Sequence, residues 1–216
     1  MILVFSRTSE RTYAVEAQRP GSPQMLMSPA PGFDPLMPHD MMHLVVEAQL
    51  GLRHGIFGQL AAGGNAGTFQ LPMKSGENSR DVTRARKRVA NRGKRLLKRN
   101  RNECQQSERA TFICLCEWRA RSAPHDRRMA QQAREVRETI AARKLRLNQT
   151  KLDEICKHLD ELSSHWLGLT VGQSMAVRWP DLAIVSTAAA PLSCSAEGQH
   201  QGHYAYTPQQ KLNDYH

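Results

Sequence analysis

The chain predicts an α+β fold: a small antiparallel N-terminal sheet packed on helices, a long basic helical region, and a disordered C-terminal tail. Three observations carry this. Two short runs rich in strand-forming residues, 2–7 and 12–18, flank the turn Thr8-Ser9-Glu10-Arg11, as in a β-hairpin. Between residues 81 and 167 apolar residues recur mostly at helical spacing. Beyond Pro191 the chain is rich in Ser, Gln, Gly and His and has little with which to form a core.

The elements follow in order. Residues 24–27 read as a third strand after the turn Pro20-Gly21-Ser22-Pro23, and Pro29, Pro31, Pro35 and Pro38 then hold an extended loop. A helix is predicted from Pro38 to Leu50, with Pro38 in its first turn, Asp40 near the positive end of its dipole and Gly51 as its stop. A short helix covers 55–62, and Gly63-Gly64-Asn65-Ala66-Gly67 is a loop without the Lys-Ser/Thr of a P-loop. A basic helix is expected over 81–105, with Gly93 as its weak point. Residues 110–119 fit helix or strand, and helices are expected over 126–147 and 151–167, the latter with Leu152, Ile155, Cys156, Leu159 and Leu162 on one stripe. Residues 172–179 alternate like a strand able to join the N-terminal sheet. The expected organisation is therefore 1–70 (hairpin plus first helices), a linker at 71–80, a helical region at 81–167, a returning strand at 168–180 and a disordered tail at 190–216.

Composition bounds the function. The 216 residues are 40% hydrophobic and 23% charged, ordinary for a globular protein. Five cysteines without C-x-x-C spacing argue against a zinc ribbon and for reduced thiols. The N-terminus has no signal-peptide pattern and no apolar run is long enough for a membrane helix, so a cytoplasmic location is expected. The net charge of +10 is local: Arg80 to Arg101 holds eleven Lys and Arg against the single acid Asp81, which equals the whole excess. Such a segment suits nucleic acid, an acidic protein surface or anionic lipid. Arg84, Arg88, Arg95 and Arg99 fall near one helical face and are the candidate nucleic-acid contacts. The alternative is a solvated face balanced by internal acids: Glu135, Glu138, Asp153, Glu154, Asp160 and Glu161.

The second candidate is Pro38-His39-Asp40-Met41-Met42-His43-Leu44-Val45-Val46-Glu47. In a helix, His39, His43 and Glu47 lie one turn apart on one side, a spacing that allows a divalent metal, zinc above all, to be shared. Asp40 on the same side is the candidate general base, or else a hydrogen-bond partner that orients a ligand His. The competing reading is an amphipathic helix whose polar face meets water.

The segment resembles the H-E-x-x-H helix of zincin peptidases, with Asp40 in place of the Glu. It is also similar to the H-D-x-x-H zinc motif of the ubiquinone-biosynthesis scaffold proteins. There a later Glu completes the ligand set; here Glu47 would have to substitute. Pro38–Glu47 followed by Gly51–Gly64 further resembles small uncharacterised bacterial proteins with P-H-D-x-x-H-x-x-V-E and G-L-R-x-G-x-F-G-x-L-A-A-G-G. These resemblances imply a metal-binding, hydrolase-like protein with His39, His43 and Glu47 as ligands. The alternative is a nucleic-acid- or protein-binding helical module without catalysis.

Overall fold

The computed structural model describes residues 1–73 and 76–185. Its sheet is antiparallel with strand order β3-β2-β1-β4-β5, formed by β1 (Ile2–Arg7), β2 (Tyr13–Gln18), β3 (Met25–Met27), β4 (Ser174–Arg178) and β5 (Ile184–Val185). The N-terminal strand lies at the centre, because the strand expected near 172–179 pairs along its free edge. The register sets Leu3 opposite Ala17 and Val177, and Phe5 opposite Val15 and Met175. These residues are buried, and Met25 and Met27 extend the same face through their pairing with Ala17 and Val15. Alternation thus puts one apolar face against the helices. The short β5 strand, outside the expected elements, is only two residues long.

Seven helices follow: α1 (His39–Leu50), α2 (Ile56–Ala61), α3 (Ser79–Arg99), α4 (Arg101–Ser122), α5 (Arg127–Arg137), α6 (Ile140–Lys144) and α7 (Gln149–Leu167). Helix α1 packs on α2, α4 and α7. Tyr13 of β2 meets Trp166 of α7 edge-on, with ring centroids 6.2 Å apart, and so ties sheet to helices. The expected linker at 71–80 is entered from a buried Leu71. The disordered tail expected over 190–216 lies outside the described residues.

Three helix boundaries differ from the sequence expectation. The basic helix ends at Arg99 rather than continuing to 105, and the break is Asn100, whose backbone departs from helical geometry (φ −118°, ψ 28°) and whose Nδ2 donates to the Leu96 carbonyl. Residues 110–119, open between helix and strand, belong to α4. The helix expected over 126–147 is two helices, because the Thr139 hydroxyl accepts the Ala142 N–H and caps a new start at Ile140.

Gly93 is the other correction. It is the sole buried residue of α3 among those described, and it is a contact point instead of a weak one. A Cβ there would lie 2.3 Å from Asn65 Oδ1 and 3.2 Å from Asn65 N. The loop Gly63–Gly67 therefore docks into α3 where the side chain is missing, and Val82, Ala85, Val89 and Leu96 continue that half-buried stripe. Ala for Gly in a helix interior ordinarily stabilises by about 1 kcal/mol. Here Gly93→Ala is expected to do the reverse, lowering the urea midpoint by the equivalent of about 1–2 kcal/mol, because the loop must move. An unchanged or raised midpoint would show that the loop does not depend on this contact.

Candidate functional site

Helix α1 does not show its polar face to water. Asp40, His43 and Glu47 are all buried, with Glu47 fully enclosed. The opposite wall is α4, which supplies Ser107 and Thr111 one turn apart, both buried. Sequence reading missed these two. Their one signal is the spacing Ser107, Ala110, Thr111, Cys114, a run of small residues on one helical face.

Glu47 is directed at the start of α2. Its Oε1 accepts the Ile56 N–H (2.7 Å) and the Ser107 hydroxyl (2.7 Å), and its Oε2 accepts the Phe57 N–H (3.0 Å). The carboxylate fills the space in front of a helix N-terminus that has no side-chain cap of its own. Gly55 makes the approach feasible: a Cβ on it would lie 2.1 Å from Glu47 Oε1. Burial pushes the Glu47 carboxyl up to about 7, against the pull of the hydroxyl and amide donors, which favour the charged form.

The two histidines do come together. Their rings meet edge to face with centroids 4.8 Å apart, and their Nε2 atoms are 3.2 Å apart. His43 Nδ1 lies 3.3 Å from Ser107 Oγ and 3.1 Å from Thr111 Oγ1. Ser107 has one hydroxyl proton and gives it to Glu47, so towards His43 it can only accept. The Thr111 hydroxyl can either accept from Nδ1 or donate to it, so both neutral tautomers of His43 find a partner there. A continuous row of polar contacts thus runs from His39 through His43 and Ser107 to Glu47. Glu108 Oε2 stands 3.9 Å from His43 Nε2 at the mouth of the row.

Asp40 faces the sheet. Its Oδ2 is 2.5 Å from the Tyr13 hydroxyl, which is also 2.5 Å from the Pro31 carbonyl oxygen. Tyr13 has one proton for two acceptors. The protonated form of Asp40 supplies the second, donating to Tyr13 while Tyr13 donates to Pro31. Burial pushes Asp40 up to about 6, against the Tyr13 hydrogen bond and with a further push from the Glu108 charge. Burial likewise drives the Tyr13 phenol far above its ordinary value. Asp40, the expected general base, is thus buried and hydrogen-bonded to Tyr13.

The expected ligand set is thus divided: His39 and His43 adjoin, Glu47 holds α2, and Asp40 holds β2. Among the described residues no group of three His, Cys, Asp or Glu side chains is placed to hold one metal ion. Four of the five cysteines are described, and all four are unpaired. The tail histidines His200, His203 and His216 lie outside the described residues.

The second candidate region has the opposite character. All eleven cations from Arg80 to Arg101 are exposed, including Arg84, Arg88, Arg95 and Arg99 on one face of α3. One ion pair is recorded for them, Arg84 with Asp81 at 3.6 Å. Five of the six internal acids expected to balance this face are engaged with other groups: Asp153 with Arg121, Glu154 with Lys151, Asp160 with Trp118 Nε1, Glu135 with Gln131, and Glu161 with His158. At the α3–α4 corner Lys98, Arg99, Asn100, Arg101, Asn102, Gln106 and the single acid Glu103 line an open cleft of about 470 Å³.

No family model matches the chain, and no curated protein or solved structure is similar enough to be matched to it. Among the described residues no helix is long and apolar enough to cross a membrane.

The two raised carboxyls give stability a definite pH dependence. Their ordinary values are 3.8 and 4.5, and in the folded chain they lie near 6 and 7. Between those limits the folded state holds protons that the unfolded state has lost. This contribution is complete below the unfolded values and disappears as pH rises through the folded ones. The protein is expected to resist urea better at pH 5 than at pH 8, by on the order of 2 kcal/mol. Asp40→Asn mimics the protonated acid, so it is expected to reduce that difference while keeping its stability at pH 8. A variant as pH-dependent as the parent would remove Asp40 from the account.

Proposed function

We propose that the protein binds a polyanion, with nucleic acid as the class, through the exposed face of α3. The observation that carries this is the surplus of cations: eleven exposed Lys and Arg with one recorded ion pair among the described residues, and five of the six candidate balancing acids engaged elsewhere. Cations on a rigid helix neutralise phosphates and release condensed counterions, giving affinity with little dependence on sequence. Asn91 and Asn102 add exposed amide donors, and the α3–α4 corner adds a cleft in which a bent backbone can lie. No aromatic side chain stands on this face, so stacking on bases contributes nothing to the reading.

Fluorescence anisotropy with a labelled random-sequence duplex and a single strand, in rising salt, tests it. Binding is expected in the micromolar range, weakening by about tenfold or more between roughly 50 and 200 mM salt. Reversing Arg88, Arg95 and Arg99 to Glu together is expected to abolish it without lowering Tm, because all three are exposed and have no recorded partner among the described residues. Equal binding by the reversed variant would end the proposal.

One observation favours a second function, a divalent-ion site: the 3.2 Å separation of His39 and His43 Nε2 suits two ligands on one zinc ion. The remaining ligands would have to come from Glu108, through side-chain movement, and from water. Metal content of the purified chain beside His43→Ala decides it, with near-stoichiometric zinc lost in the variant as the supporting result.

A further inference from the structure

We infer that Arg19 and Arg92 form a receptor for a single phosphate group over the Gly63–Gly64 turn. This rests on the polyanion reading of α3 and gives it a fixed anchor.

Arg19 leaves the end of β2, and Arg92 lies on α3 beside the docked loop. The two converge above Gly63. The point where a Cβ of Gly63 would stand is 3.2 Å from Arg19 Nη1, 3.2 Å from Arg92 Nε and 3.3 Å from Arg92 Cζ. Gly63 has φ +87°, which favours glycine, and the absence of a side chain lets both guanidiniums approach its backbone closely. Arg19 is only half-exposed, and its Nε is a buried donor with no hydrogen-bond partner. No ion pair is recorded for either arginine among the described residues.

Two like charges converging on one turn, one with an orphaned buried donor, are unfavourable as they stand. Burial and the Arg92 charge both work against the charge on Arg19, as that arrangement requires. A dianionic tetrahedral group offsets both defects, since its several oxygens accept from two planar donor forks at once. The neighbouring backbone does not compete for it: the Gly63 and Gly64 N–H groups already donate to the Leu60 and Gln59 carbonyls. Arg92 sits at the shoulder of α3, so a phosphate held here is continuous with the exposed track of Arg88, Arg95 and Arg99.

The test uses the full chain, inorganic pyrophosphate and a single-stranded DNA, with Arg19→Gln and Arg88→Gln compared. Arg19→Gln loses no partner and removes a repulsion, so its Tm is expected at or above the parent's; a purely structural arginine would give a fall. Pyrophosphate at millimolar concentration is expected to raise the parent Tm by about 2–4 °C and to leave Arg19→Gln unmoved. DNA affinity is expected to drop about tenfold in Arg19→Gln and about twofold in Arg88→Gln. If pyrophosphate shifts the parent and Arg19→Gln alike, or neither, the receptor is overturned. DNA binding weakened equally by the two variants overturns it too, while leaving the polyanion reading intact. A pyrophosphate shift that depends on Arg19 in a chain that binds no DNA supports the receptor for free phosphate and ends the polyanion reading. Should Arg19→Gln melt early, Arg19→Lys keeps the charge without the fork, and loss of the pyrophosphate shift at parental Tm supports the receptor, whereas a full shift overturns it.

Discussion

The contact between the Glu47 carboxylate and the first amides of α2 organises the rest of the helical layer. It joins the end of α1 to the start of α2 across a turn stopped by the left-handed Gly51. Through Ser107 it also fixes α4 against α1. A carboxylate buried to this degree is costly unless its oxygens are satisfied. Here a helix N-terminus and a hydroxyl supply the donors, and Gly55 gives the room. Gly58 extends the same logic, since a Cβ on it would strike the Arg53 carbonyl at 1.9 Å. Gly55 and Gly58 are accordingly positions where the backbone passes close to a carboxylate and to another stretch of backbone.

The burial of Asp40, His43 and Glu47 shows how a polar helix face can be internal. Each group finds a partner on a different neighbour: Asp40 on β2, His43 on α4, Glu47 on α2 and α4. These directional contacts fix the rotation of α1 about its own axis in a way that apolar packing alone would not, because a wrong rotation strands three polar groups at once. On its other sides α1 presents Met41, Leu44 and Val45, all fully buried. A helix enclosed on every side has little amphipathic signal, and that is why its polar stripe reads in sequence as a solvated face or a metal site.

Much of the fold was legible because local chemistry set it. The hairpin, the Pro38 start and Gly51 stop of α1, and the strand over 174–178 all rest on turn residues, caps and alternation that act within a few positions. Illegible were the features set by distant partners. Asn100 breaks a helix that composition would continue, and Thr139 restarts one. Gly93 looks like a defect until Asn65 fills its side-chain position. The site divided in the same way: the His39–His43 contact follows from four-residue spacing, whereas Ser107 and Thr111 lie more than sixty residues away and carry no local mark. Arg19, isolated from the basic run in sequence, reached it only through the fold.

Charge distribution separates what maintains this fold from what the fold displays. The formal excess of +10 equals that of residues 80–101, so the rest of the chain is balanced within itself. Its acids are largely spent locally, as in Arg119 with Asp34, Arg121 with Asp153 and Glu117, and Lys151 with Glu154. Helix α3 contributes a half-buried stripe, the Gly93 contact and the Arg86 Nε bond to the Leu71 carbonyl to packing, and most of its charged face has no recorded partner among the described residues. A sequence selected only for folding would relieve that repulsion with acids at i+3 or i+4, as happens elsewhere in the chain. Helix α3 holds one such acid, Asp81, at its first turn. Under the polyanion reading proposed above, a repeating anion would offset the self-repulsion of that face and match its length and spacing better than scattered small ions do.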